Sequence, residues 1–449
     1  MKKTSIILAL VFVFVLSFSF GILAEDIKAP ADDPNQYVVK DAIANYETTE
    51  DLYIGTVGNY IADKDGAKTY FENGEAIHAN DIILSNGQVG VVLAVGTRNP
   101  WGYPAGSILD AGYIKEDGTP ARDTVWAIEF LANRWDSWAP DNCGTVTFDL
   151  VKYDFDACKE GSGLDAIKVT RVYNIGGTDF DVVTYYGAAP DEDFIYVYNQ
   201  MTNNGEGEVE LANSFAITNK GDDGGFMKDL DAINCTGSYG NKEGQEYNTY
   251  IALGDASQFD RYKGSLGYRE LVADHVYKAD ESVLMKNYVV INDDASTRAI
   301  NEFMAENNKV EKQTAVTATV KDAEGKAVEN PVVVIEQEGK VYGWYIGDET
   351  GKTEFNLPQG GTYSVYVERD GYAQGAVQEV KADKETVALD LVSGAAKETV
   401  KFNLKDQNGD PVYGKVELFD AEGNSVYPVV RFCGEAVYQA NQKGVIEAE

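Results

Sequence analysis

Apolar and polar residues alternate with a period of two along most of this chain, a pattern that suits half-buried strands and not helices. Ala166-Ile167-Lys168-Val169-Thr170-Arg171-Val172-Tyr173, Asp181-Val182-Val183-Thr184-Tyr185-Tyr186 and Phe194-Ile195-Tyr196-Val197-Tyr198 are runs of this kind, rich in β-branched and aromatic residues. Gly and Asn clusters punctuate them at Asn86-Gly87, Asn174-Ile175-Gly176-Gly177 and Asn203-Asn204-Gly205, which read as turns or hairpins. Residues 124–139 fit either period, because Val125, Ile128, Ala132, Trp135 and Ala139 share a helical face while Trp126, Ile128 and Phe130 share a strand face. A helix is expected at Ser296 to Asn308, ahead of the polar linker Glu306-Asn307-Asn308-Lys309. The expected fold class is all-β: a large antiparallel β-sandwich followed by two small sandwiches.

The N-terminus has the parts of an export signal. Lys2 and Lys3 precede an apolar run that ends at Gly21-Ile22-Leu23-Ala24, and Glu25-Asp26 then turn the chain polar. Cleavage is expected after Ala24, with an uncleaved membrane anchor as the alternative. The expected location is therefore secreted or at the cell surface, with no membrane insertion after signal removal.

Charge and residue counts narrow the chemistry. There are 38 Lys and Arg against 73 Asp and Glu, a net charge of −35, which argues against binding a phosphate backbone. With two histidines in the chain, His78 and His275, a His-rich metal centre is excluded from these residues. The four cysteines, Cys143, Cys158, Cys235 and Cys433, form no CxxC pair and no disulfide scaffold. Cys143 and Cys158 flank the strand-like run Thr145–Val151 and are the candidate disulfide, against an equal reading as separate thiols. No cofactor is expected. Asp222-Asp223-Gly224-Gly225 and Asp406-Gln407-Asn408-Gly409-Asp410 hint at Ca²⁺ loops, but Lys326 replaces the last acid in the related segment, which favours a plain turn.

The last third holds a repeat. Lys321, Asp322, Gly325 and Val328 match Lys405, Asp406, Gly409 and Val412 at a constant offset, each set spanning a strand, an Asp-x-x-Gly turn and a second strand. The first unit continues through Gly351, Phe355, Leu357-Pro358 and Gly360 to Tyr363-Ser364-Val365-Tyr366-Val367. On these residues it resembles the carboxypeptidase regulatory-like (transthyretin-like) domain of the Ig-like class, which implies a spacer or adhesion module without chemistry. In the second unit Gly444-Val445-Ile446-Glu447 aligns with Gly351-Lys352-Thr353-Glu354, and the closing strand has no counterpart. The second unit is read as incomplete: either the copy has degenerated or, the favoured reading, the chain is a fragment of a longer protein. Upstream, strand runs around Tyr198-Asn199-Gln200-Met201-Thr202-Asn203-Asn204-Gly205 resemble the super-sandwich of mutarotase-like and polysaccharide-lyase-associated domains. The expected organisation is a signal at 1–24, a large sandwich at 25–312, a regulatory-like domain at 313–394 and a truncated second Ig-like domain at 396–449. That order resembles exported bacterial proteins in which a metallohydrolase of the polymerase-and-histidinol-phosphatase (PHP) type can follow.

Candidate site residues cluster in one region. Trp101, Trp126, Trp135 and Trp138, four of the five tryptophans, fall within residues 101–138. The loop Arg98–Ser107, with two prolines and two glycines, presents Trp101 and Tyr103. Aromatic faces flanked by amides and carboxylates suit sugars, so Asn99, Trp101, Tyr103, Trp135 and Trp138 are the candidate ligand-binding residues, with Asn133, Asp110 and Asp136 nearby in sequence. The competing reading, that these aromatics fill a core, carries more weight on base rates. No catalytic residue is assigned. His275 beside Asp274 is the weak candidate, each histidine being more often an ordinary surface or half-buried residue. The expected function is a non-catalytic binding or scaffold protein that contacts glycan or cell-envelope polymer. The alternatives are the accessory region of a metal-dependent hydrolase, or a carbohydrate-active enzyme of mutarotase or lyase type.

Overall fold

A computed structural model describes residues 25–31, 36–49, 52–62, 64, 67–96, 103–123, 125–134, 144–155, 163–219, 224–226, 230, 232–233, 235–240, 248–253, 260–262, 268–294, 296–308, 310–369, 372–396, 400–412, 415–416, 418–419, 425–426, 438–439 and 445–448. The fold is all-β, with 54% strand and 7% helix arranged as sandwich sheets. The signal segment and the candidate disulfide Cys143–Cys158 lie outside the described residues. Cys235 is buried and not disulfide-bonded.

Two broad sheets face each other in the first part of the chain. The first runs Ile27–Lys28, Tyr37–Val39, Val146–Tyr153, Leu164–Ile175, Thr178–Gly187, Phe194–Asn203, Ser282–Ile291, Asn248–Leu253, Thr236–Gly240, Gly224–Phe226. The second runs Asp260–Tyr262, Tyr268–Tyr277, Val209–Asn219, Val125–Leu131, Ile108–Tyr113, Val89–Leu93, Ile82–Ser85, Tyr53–Thr56. Pairing is antiparallel except between Tyr37–Val39 and Val146–Tyr153, which is parallel. The ambiguous stretch is therefore a strand as far as Leu131, and residues 135–139 lie outside the described residues.

Alternation decides which side chains fill the space between the sheets. Val169, Tyr173, Val182, Tyr186, Ile195, Val197, Met201 and Val289 of the first sheet meet Ile128, Phe130, Leu211, Phe215, Ile217 and Leu271 of the second. A polar row crosses this apolar layer on four adjacent strands. Arg171 donates to Thr184 Oγ1, Thr184 to Asn199 Oδ1 at 2.8 Å, and Asn199 Nδ2 to Asn287 Oδ1 at 3.0 Å. The row satisfies most of its own polar groups, while Arg171 Nε and Asn287 Nδ2 have no hydrogen-bond partner among the described residues.

Two turns differ in what they join. Gly176 and Gly177, at φ of 62° and 88°, make the two-residue hairpin between Leu164–Ile175 and Thr178–Gly187. The Asn203-Asn204-Gly205 turn makes no hairpin: Phe194–Asn203 and Val209–Asn219 belong to different sheets. Asn203 is wholly buried, and its Nδ2 donates to the carbonyls of Gly207, Tyr277 and Lys278, which fixes the crossover.

Residues 313–392 form a second sandwich. Lys352–Pro358, Gln313–Lys321 and Thr386–Val392 make one sheet, and Lys340–Ile346, Val332–Gln337, Thr362–Glu368 and Gln378–Lys381 the other. Val316, Val320, Val333, Ile335, Phe355, Leu357 and Val365 pack between them. Asp322 Oδ1 accepts from the backbone N–H groups of Glu324 and Lys326, and Asp406 Oδ1 from those of Asn408 and Asp410. The repeated Asp is thus a turn former in both copies, and at Asp406 backbone donors occupy the oxygen that a Ca²⁺ loop would offer. The strand pairing repeats too: Thr317 faces Glu354, and the aligned Lys401 faces Glu447. Asp222 and Asp223 lie outside the described residues.

Helix Arg298–Asn307, at the expected position, sits between the two sandwiches. Its Ile300, Phe303 and Met304 pack with Phe194, Tyr196 and Tyr288 of the ten-stranded sheet and with Val334, Trp344 and Tyr366 of the second sandwich. Thr297 Oγ1 donates to Trp344 O and Asn301 Nδ2 to Tyr342 O, each at 2.9–3.0 Å. Gly343 is required between them, because a Cβ there would stand 2.4 Å from Asn301 Oδ1 and 2.5 Å from Thr297 Oγ1.

Candidate functional site

The outer face of the eight-stranded sheet carries charge where a covered face would be expected to carry none. Glu129 on Val125–Leu131 lies directly opposite Ala216, and Ala216 lies directly opposite Glu270 on Tyr268–Tyr277. Directly paired residues share a face, so the two glutamates flank Ala216 with their Cα atoms about 10 Å apart. Both are 1% exposed. The strand between them presents Ser214, Ala216 and Thr218 on that same face, a buried trough of small side chains between the carboxylates. Ser214 Oγ is buried and has no hydrogen-bond partner among the described residues.

Two segments close on the ends of the trough. At one end Arg134 donates to both oxygens of Glu270, from Nε at 3.3 Å and from Nη2. A quarter of its side chain is exposed, which makes it the wet edge of an otherwise enclosed site. Arg134 reaches Glu270 because the chain leaves the strand through two successive non-glycine residues in the left-handed region, Asn133 at φ 50° and Arg134 at φ 52°. Asn133 N donates to Asn213 Oδ1, and Asn133 Oδ1 accepts from Ala212 N, so side-chain bonds hold the strained pair. Strain of this kind survives where surrounding contacts over-determine it, and such places cluster at binding sites.

At the other end stands Tyr103. Its hydroxyl shares a hydrogen bond with Thr218, and burial, followed by the charge of Glu129, pushes its pKa well above the ordinary tyrosine value. The segment after Tyr103 is clamped into the sandwich: Arg171 donates to Ala105 O at 3.3 Å and Tyr186 to Gly106 O at 2.5 Å. Gly106, at φ 88°, packs so close to Val169 that a Cβ would stand 2.8 Å from Cγ1.

Of the candidate ligand-binding residues, Tyr103 is at the trough. Asn99, Trp101, Trp135 and Trp138 lie outside the described residues. Trp126 packs against the apolar cluster around Tyr70, Phe71 and Leu109 on the outer face. Asp110 is committed to the fold, accepting the backbone N–H groups of Glu75 and Ala76. Asp274 and His275 do not converge. Neighbours along a strand point to opposite faces, and Asp274 is exposed while His275 packs edge-on against Tyr277 at 4.7 Å. The carboxylate facing His275 is Glu281, 3.3 Å from Nε2. His78 belongs to a turn, where its Nδ1 accepts from Asn80 N at 3.3 Å.

No family model and no curated protein matches the chain. Solved structures do. A TPR-domain containing protein from Parabacteroides distasonis aligns at 12% identity over 47% of each chain, with a TM-score of 0.30. A heparan sulfate lyase from Pedobacter heparinus aligns at 9% identity over 62% of this chain and 40% of the lyase, with a TM-score of 0.29. A galactose mutarotase related enzyme from Lactobacillus acidophilus aligns at 9% identity over 47% of this chain and 97% of that one, with a TM-score of 0.26. The chain spans about half the length of the first of these and two fifths of the second. Mutarotase-like and polysaccharide-lyase sandwiches are thus among the neighbours, and the likeness stops at the β-sandwich.

Proposed function

We propose that this chain is an exported carbohydrate-binding protein whose sugar site is the trough between Glu129 and Glu270. The observation that carries the reading is the row Glu129–Ala216–Glu270 beside the unpartnered hydroxyl of Ser214. Carboxylates accept hydrogen bonds from vicinal hydroxyls, and a guanidinium beside them donates to ring and exocyclic oxygens. One arginine against two glutamates repels phosphate and sulfate, so the preferred ligand is a neutral sugar. The leader at residues 1–24 and the net charge of −35 fit a protein that works outside the cell. The regulatory-like unit at 313–394 and its copy after residue 396 serve as spacers in this reading.

A glycan array followed by calorimetry of the hits tests the proposal. Glu129→Gln and Glu270→Gln keep the shape and remove the charge. Each is expected to weaken binding about tenfold or more, the worth of a charge-assisted hydrogen bond. Hits with unchanged affinity in both variants, or an array with no hits, would contradict it.

A further inference from the structure

A second cavity lies at the seam between helix Arg298–Asn307 and the second sandwich, on the side of the helix that faces strands Gln313–Lys321 and Lys352–Pro358. Its volume is about 370 Å³, within the range of small-molecule sites. Tyr345 and Phe355 form its floor, stacked at 5.1 Å between ring centroids. Tyr345 is 2% exposed and lines the cavity. Arg298 and Glu302 also line the cavity. The Arg298 guanidinium stands 6.0 Å from the centroid of the Tyr345 ring.

The lining selects by charge and by hydrogen bonding. Arg298 is matched by Glu302, and Glu354 is neutralised by Lys352 at 2.5 Å. Asp193 and Glu306 add negative charge near Glu302, so an anion gains nothing from the one arginine. Among the described residues no three metal-ligating side chains converge. What the cavity offers are neutral donors and acceptors, the amides of Gln313 and Asn356 and the hydroxyl of Tyr345, around a carbon-rich floor.

We propose that this cavity is a separate binding site for one neutral sugar ring, held by the Tyr345 hydroxyl, the two amides and Arg298. It shares no residue with the trough. Occupancy would tie the helix to the sandwich that packs on it, since the ligand touches both.

The test uses the full chain and titrates glucose, galactose and N-acetylglucosamine, with inorganic phosphate and glucuronate as anionic probes. Ala315→Trp fills the cavity from an exposed position on its wall, and Tyr345→Phe deletes one oxygen. Thermal unfolding first confirms that both variants fold. The expected result is saturable binding of at least one neutral sugar, weakened about tenfold by Tyr345→Phe, abolished by Ala315→Trp and unchanged in Glu129→Gln/Glu270→Gln. Four outcomes would overturn it: no saturable binding, affinity unchanged in both cavity variants, preference for phosphate or glucuronate, or binding lost only in the trough variant. The last would assign the sugar to the trough alone and leave the first proposal standing.

Discussion

Replacing Arg134 by Met tests whether the trough is as dry as its exposures imply. Glu270 is 1% exposed and shares both carboxylate oxygens with Arg134, whose side chain is 25% exposed. Removing one partner of a fully buried pair costs roughly 3–5 kcal/mol, because the other charge is left in a low dielectric. An exposed pair costs about 0–1 kcal/mol. With a quarter of Arg134 in water, the expected loss lies between these, about 2–3 kcal/mol. Met is the right replacement because it keeps the stem and leaves the φ of 52° occupied by an L-residue. Glycine would relieve about 1 kcal/mol of backbone strain and mask part of the effect. The assay is denaturant unfolding followed by circular dichroism, with Arg134→Met, Glu270→Gln and the double variant. Once Glu270 is neutral, the missing cation matters little, so the double variant should regain most of what Arg134→Met loses. A loss below about 1 kcal/mol, or a double variant no more stable than the single one, would refute the buried-charge argument.

The other predictions concern pH, packing and the crossover. Tyr186 is fully buried, and desolvation raises its pKa from 10.0 to about 12. The unfolded chain therefore ionises first, and stability worth about 2–3 kcal/mol at this residue is present below pH 10 and lost as pH rises toward 12; Tyr186→Phe should lose less across that window in pH-dependent unfolding. Gly343→Ala should cost about 1–3 kcal/mol and loosen the helix from the second sandwich, read as earlier proteolysis between them; unchanged protection would contradict the tight fit at Asn301 and Thr297. Asn203→Ala should destabilise by about 1–3 kcal/mol, since the buried Tyr277 carbonyl and the part-buried bonds to Gly207 and Lys278 lose their donor; an effect under 0.5 kcal/mol would mean that the crossover does not depend on it.

Much of the architecture is legible in the residues, because period-two alternation survives wherever one face of a strand is covered. The helix at 298–307 and the repeated Asp turn follow from equally local signals, an amphipathic stripe and an Asp-x-x-Gly spacing. Which sheet each strand joins is not local. Asn203-Asn204-Gly205 has the composition of a hairpin turn, and only the pairing of Val209–Asn219 with Val125–Leu131 shows a crossover. The trough is harder still. Glu129 and Glu270 are two acids among 73, and strand register alone brings them opposite one alanine. One signal was available: Glu129 interrupts the apolar run Trp126-Ala127-Ile128 and Phe130-Leu131, and a lone carboxylate inside such a strand is worth asking about. Asp274 and His275 are neighbours in sequence, yet the strand turns their side chains to opposite faces.

Hydrogen exchange with and without a bound glycan tests the sugar site most directly. Strand Val209–Asn219 forms the trough floor, so the amides on either side of Ala216, with those flanking Glu129 and Glu270, should slow when ligand is present and show no change in Glu129→Gln/Glu270→Gln. A saturated complex in which these three strands exchange as they do in the unliganded protein would contradict the assignment.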